Sequence, residues 1–122
     1  MNKYEKITLD RCYKLWSGIV YKKCKGKCVK CGLTACDPHH VFPKGSYPMF
    51  KYAPTNGVML CRNCHDLYHF HRDQNVIKAI IMAVGEAEYS NLVSLSHDKA
   101  KWVSKEQMLK ELEDEAVKIG IL

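Results

Sequence analysis

A mostly helical α+β domain is the architecture this chain encodes, built around a small core stapled by four cysteines. Three observations point there. Two Cys-x-x-Cys pairs, Cys28/Cys31 and Cys61/Cys64, bracket a stretch of 29 residues. Inside the bracket, two short runs flank a segment dense in proline and glycine, the mark of a hairpin with a long loop. Outside it, apolar residues recur at helical spacing. A chain of 122 residues makes one domain with modest room for a core. It divides into an N-terminal helix (1–27), a stapled core (28–73) and a helical tail (74–122).

Residues 8–23 read as the first helix. Leu9, Cys12, Tyr13, Trp16, Ile19 and Val20 share one face. Thr8 is placed to cap its start, and Lys22 and Lys23 suit its C-terminal end. Gly32 lets the backbone turn around the first pair of sulfurs. Residues 37–42 form the outgoing strand and 57–60 the return strand, with a long ordered loop between. A helix runs from Arg62 to about Arg72, beginning within the second cysteine pair. Residues 76–84 are apolar on nearly every face and read as a buried helix ended by Gly85. Residues 87–95 make an amphipathic helix. Ser104-Lys105-Glu106-Gln107 is a capping-box start. Leu109, Leu112, Ala116 and Ile119 line the helix that follows, which Gly120 ends. Whether the tail closes the domain's own core or pairs two copies as a homodimer stays open.

No stretch approaches the roughly 18 apolar residues of a membrane helix. The first residues, Met1-Asn2-Lys3-Tyr4-Glu5-Lys6, lack the apolar region of a secretory signal, so a cytoplasmic setting without membrane attachment is expected. In such a setting, cysteine pairs read as metal ligands rather than as disulfides. Of the seven cysteines, Cys12 sits in a helical apolar pattern and reads as core, while Cys24 and Cys36 flank the first pair as lesser ligand candidates. Net charge is +6 and uneven: residues 1–73 carry 13 Lys and Arg against 5 Asp and Glu, whereas residues 74–122 carry 6 against 8. The half with the metal ligands is therefore the basic half, which suits a polyanion.

Four cysteines make a closed tetrahedral zinc site, structural because no position is left for a reactant. Simple zinc ribbons leave about 15–20 residues between pairs. The longer gap here means the zinc clamps the base of an insert, and that insert holds His39 and His40. His65 and His69 lie four apart on the predicted helix, so their Cβ atoms stand about 5–6 Å apart on one face. Two imidazoles so placed can grip a divalent ion. His39 and His40 are neighbours on a strand and point to opposite faces. One can join His65 and His69 at a metal while the other approaches a substrate from elsewhere.

The run Asp37-x-His39-His40, Asn56, His65-x-x-x-His69 resembles the HNH, or ββα-metal, endonuclease superfamily, in its four-cysteine zinc form. A narrower likeness joins Lys14-Leu15-Trp16, Cys28 to Gly32, Asn56 to Cys64, and Gly85, Tyr89, Leu92 and Trp102 to the phage NinG/Rap recombination nucleases. The chain departs from that group in its Cys64-His65 and His39-His40 dipeptides. The resemblance implies a ββα-metal core, hydrolysis of DNA phosphodiesters, and action on branched or single-strand-containing DNA in recombination. It implies His40 as general base, with Asn56 and His65 completing the named triad. His39, His65 and His69 then hold a catalytic divalent ion: Mg2+ or Mn2+, with Zn2+ or Ni2+ as alternatives.

Asn56 is expected to orient His40, or else to touch the metal. Asp37 either orients a histidine or is a turn residue before Pro38. Lys44, Lys51, Arg62 and Arg72 are the basic residues nearest in sequence and are the candidates for phosphate contacts. Tyr47, Phe50 and Tyr52 read as packing for the long loop or as stacking surfaces. His71 and His97 read as surface residues. Two other classes fit part of the pattern: a zinc-dependent DNA-binding module without catalysis, and an HNH nuclease acting on RNA.

Overall fold

The first helix, α1, runs from Lys3 to Cys24 and starts more than a turn earlier than apolar spacing indicates. Asn2 caps it, its Oδ1 accepting from the Glu5 backbone N–H at 2.9 Å. Thr8 is not the cap: its hydroxyl donates back to the Tyr4 carbonyl at 2.9 Å, a mid-helix bond open to any threonine. The buried face comprises Cys12, Leu15, Trp16, Ile19 and Val20. Tyr13, expected on it, is half exposed at its edge. The helix stops where Lys25 and Gly26 turn left-handed, their N–H groups returning to Lys22 and Tyr21.

The computed structural model describes residues 2–35, 37–42, 49–98 and 102–122. Among these, β1 (Asp37–His40) pairs antiparallel with β2 (Gly57–Leu60), setting His39 opposite Val58 and His40 opposite Gly57. The first strand ends two residues sooner than expected. At Phe42 the ladder gives way to a side chain, the Asn56 Oδ1 accepting the Phe42 N–H at 2.9 Å. The hairpin lies close on α1: a Cβ at Gly57 would come within 2.8 Å of Trp16 Cζ2. Glycine there serves the close approach of strand to helix. A 3-10 helix, Met49–Tyr52, precedes the return strand.

Helix α2 (Arg62–His71) follows β2 directly and is capped by Cys61. Next come α3 (Gln74–Val84), capped by Asp73, and α4 (Glu86–His97). The expectation that α3 is buried all round is corrected. Only Val76 and Ile80 are enclosed, while Met82 is 81% exposed. A chain of this size has too little material to cover a helix on every side. Helix α5 (Lys105–Lys118) starts at Ser104, whose hydroxyl accepts from the Gln107 N–H at 3.1 Å.

Met108, Leu112 and Ala116 of α5 are buried, and α5 packs along α1, so the tail closes this domain's own core. Part of the charge asymmetry is spent there, in pairs Arg11–Glu113 at 3.5 Å and Lys23–Glu115 at 3.2 Å. Trp16, Ile19, Met59, Leu60, Leu92 and Leu112 are fully enclosed between α1, β2, α4 and α5. Among the described residues no helix is long and apolar enough to cross a membrane.

Candidate metal centre

The two cysteine pairs meet. Gly32 turns left-handed (φ 76°) and its N–H bonds the Cys28 carbonyl at 2.9 Å, closing the first knuckle. The second knuckle is the first turn of α2, where Cys61 Sγ lies 3.5 Å from the Cys64 N–H. A bond from Val29 N–H to the Met59 carbonyl, 3.0 Å, ties one knuckle to the other. As a result the sulfurs of Cys28, Cys31, Cys61 and Cys64 all lie within 4.8 Å of one another. Cys31 and Cys61 are 3.6 Å apart. That approaches the ~3.8 Å edge of a tetrahedron built on Zn–S bonds of ~2.3 Å.

The electrostatics suit a bound cation. Burial pushes the Cys28 thiol up, but the backbone N–H groups of Cys31, Cys61 and Lys30 outweigh it and bring it down to about 6. Burial and the neighbouring sulfurs push Cys64 well above the ordinary thiol range. Four sulfurs this close ionise together only around positive charge, and a zinc ion supplies it. The four-cysteine cluster can therefore hold a structural zinc. Cys12 is a core thiol, raised to about 11 by burial and by Glu113 and Glu106. Cys24 is half-buried outside the cage, and Cys36 lies outside the described residues.

A second cluster begins one residue after the cage. His39 of β1 stacks on His65 of α2 with ring centroids 3.8 Å apart, and His69 stands 4.5 Å from His65. One nitrogen from each ring falls within 4.8 Å of the others. Burial first, then the His65 and His69 rings, lowers His39 to about 4. Burial and His69 lower His65 likewise. His39 and His65 so placed resist protonation and keep their lone pairs available to a cation. His69 is exposed, and His39 and His65 open with Tyr13, Asp37 and Arg62 onto a cleft of about 300 Å³. Three donors beside an accessible cleft leave coordination positions for water or substrate.

His40, on the opposite face of the strand, is held differently. Its Nδ1 lies 2.8 Å from the Lys51 carbonyl. A carbonyl only accepts, so Nδ1 carries the hydrogen, and the lone pair of the neutral ring is assigned to Nε2. Its ring stacks on Trp16 at 4.1 Å and 10°. Asn56 is fully buried and braces the same carbonyl, its Nδ2 donating to Lys51 at 3.3 Å and to Phe50 at 3.4 Å.

The basic candidates scatter. Arg62 lines the imidazole cleft and lies 3.9 Å from Asp66. The Lys51 ammonium sits 4.9 Å from the Tyr52 ring. Arg72 leans over Tyr68, at a different cavity. Lys44 and Tyr47 lie outside the described residues. Reading the sequence missed Trp16 as the platform beneath His40 and Tyr13 as a wall of the cleft. Helical spacing marks both as apolar-face residues, but nothing local says what they meet. No protein-family model, curated protein or solved structure matches the chain.

Proposed function

We propose that this protein is a metal-dependent endonuclease of the HNH, ββα-metal type, hydrolysing phosphodiester bonds of DNA. The observation that carries the reading is one juxtaposition. Three imidazoles, His39, His65 and His69, cluster with the first two opening on a cleft, and the next residue of the same strand, His40, is anchored through Nδ1 to the Lys51 carbonyl. A binding module with a zinc cage needs neither. The basic character of residues 1–73 supports a nucleic-acid partner. Action on branched or single-strand-containing DNA in recombination is proposed from the residue resemblance.

In this mechanism His40 Nε2 takes the proton of the attacking water, a role suited to a ring whose unperturbed pKa is about 6.5. The Lys51 carbonyl keeps Nδ1–H in place and stabilises the imidazolium that forms. Asn56 positions that carbonyl. His39, His65 and His69 would hold a divalent ion, which when bound would supply positive charge for the scissile phosphate and the leaving oxygen. Arg62, at the cleft rim, adds a phosphate contact.

The test is digestion of a matched set of DNAs (duplex, single strand, flap, four-way junction) with Mg2+ or Mn2+. Wild-type protein is expected to cut. His40→Ala is expected to lose about 10²–10⁴-fold in rate while retaining zinc and DNA binding. Equal rates for the two proteins, or no cutting of any substrate with any divalent ion, would overturn the reading.

A further inference from the structure

A second concavity opens beside the imidazole cluster. It is a cavity of about 240 Å³ floored by Ile77 and Ile80 of α3. Phe42, Tyr68 and Tyr89 wall it. Phe42 and Tyr89 stand 5.7 Å apart at 32°. Arg72 completes it, its guanidinium carbon 5.6 Å from the Tyr68 ring centroid.

The chemistry of this lining selects its ligand. Flat aromatic walls and an aliphatic floor accept a planar, π-faced group. One cation at the edge accepts an anion attached to that group. Arg72 is exposed and makes no ion pair with a carboxylate among the described residues. It also occupies a left-handed position (φ 48°) that a glycine would take at lower cost. The volume falls short of the ~300–1,000 Å³ of pockets for larger organic ligands. A single nucleobase with its phosphate matches shape, surface and charge together.

Position adds to this. The Tyr68 hydroxyl donates to the carbonyl of Val41, the residue after His40, at 3.2 Å. The Tyr68 ring is 5.9 Å from that of His69. The cavity is thus one residue along the chain from His40, just past the end of β1, and one residue along α2 from a candidate metal ligand. A phosphate at the imidazoles and a base in the cavity can belong to neighbouring nucleotides of one strand. In a duplex that base is stacked and paired, so entry requires an unpaired strand.

We infer that this cavity receives one unstacked base of single-stranded DNA, with Arg72 against the adjoining phosphate. The inference rests on the nucleic-acid reading above and names its substrate as DNA with an unpaired strand.

The experiment uses zinc-loaded full-length protein without added Mg2+ or Mn2+. Fluorescein-labelled oligothymidylate and a duplex of equal length are titrated by anisotropy. Tyr89→Leu should weaken single-strand binding by about tenfold or more, the loss expected for one base–aromatic stack, and leave duplex binding unchanged. Arg72→Gln, at the exposed mouth, should flatten the dependence of log affinity on log salt by about 0.7 for the single strand. This second variant decides the matter if Tyr89→Leu loses zinc or folds poorly. Irradiating wild-type protein with an oligonucleotide carrying 5-iodouracil should crosslink Phe42, Tyr68 or Tyr89. Crosslinks confined to other residues, absence of crosslinks, or variants that bind both DNAs as wild type does would overturn the inference. Parallel cleavage assays separate the two claims. A protein that binds as expected but never cuts keeps the cavity and loses the nuclease. One that cuts but crosslinks elsewhere does the reverse.

Discussion

Asn56 shows how much a single buried amide can organise. Its oxygen accepts from Phe42 at one end of the inter-strand segment, and its nitrogen donates to the Phe50 and Lys51 carbonyls at the other. The Lys51 carbonyl also takes the His40 ring. Removing the amide leaves the Phe42 N–H without its acceptor, at a cost of about 1–3 kcal/mol, and frees the carbonyl that aims His40. Asn56→Ala is therefore expected to lower the thermal midpoint by several degrees and to reduce cleavage further than the stability loss explains. Calorimetry and single-turnover rates on zinc-replete protein measure both. Both roles for Asn56, orienting His40 or touching a metal, were open from the residues alone, and its bond to the Lys51 carbonyl supports the first. The choice depended on where Lys51 lies, and a long loop carries no local signal for that.

Helix α1 illustrates the limits of periodicity. Spacing identifies its buried side, and Cys12, Trp16, Ile19 and Val20 are indeed enclosed. It does not identify the start, because Asn2 and Glu5 lie before the apolar pattern begins. Nor does it reveal that Trp16 faces His40. That stack joins an element outside the hairpin to the residue proposed as base. Trp16→Leu is expected to cut kcat with little change in KM and with zinc retained, and Trp16→Phe, which keeps a flat face, to recover most of the rate. In a Trp102→Phe background, loss of the stack should also alter the emission of wild-type Trp16 when His40 is replaced by alanine. Unchanged emission and a uniform loss in kcat and KM would assign Trp16 to packing alone. For α3 the opposite lesson holds. Its composition reads as core, yet Met82 and Ala83 are exposed, because α2, α4 and β2 pack against the other side of the helix.

Across the molecule, the cage and the hydrophobic core share the task of holding the fold. Domains of this size are stable by about 5–15 kcal/mol, and structural zinc in small peptides binds with about 10–16 kcal/mol. Losing the ion therefore costs as much as the fold has to spend. Cys61→Ser is expected to yield protein that lacks zinc and unfolds without a cooperative transition, read by metal analysis and circular dichroism. The paired cysteine spacing was visible in the chain because four identical ligands at fixed intervals are a strong local signal. The imidazole cluster was visible in part, from the four-residue interval of His65 and His69. The aromatic cavity at Arg72 was not visible at all, since its walls come from β1's exit, α2, α3 and α4, which meet only in three dimensions.

The sulfur of Cys61 does two jobs, closing the cage and capping α2. The helix that carries His65 and His69 starts at this atom. On the reading proposed above, filling the thiols first would favour a second ion, because the helix that brings His65 and His69 to His39 is capped by one of those thiols. Zinc supply would then act as a gatekeeper for the chemistry proposed for the imidazoles, whatever the abundance of magnesium or manganese.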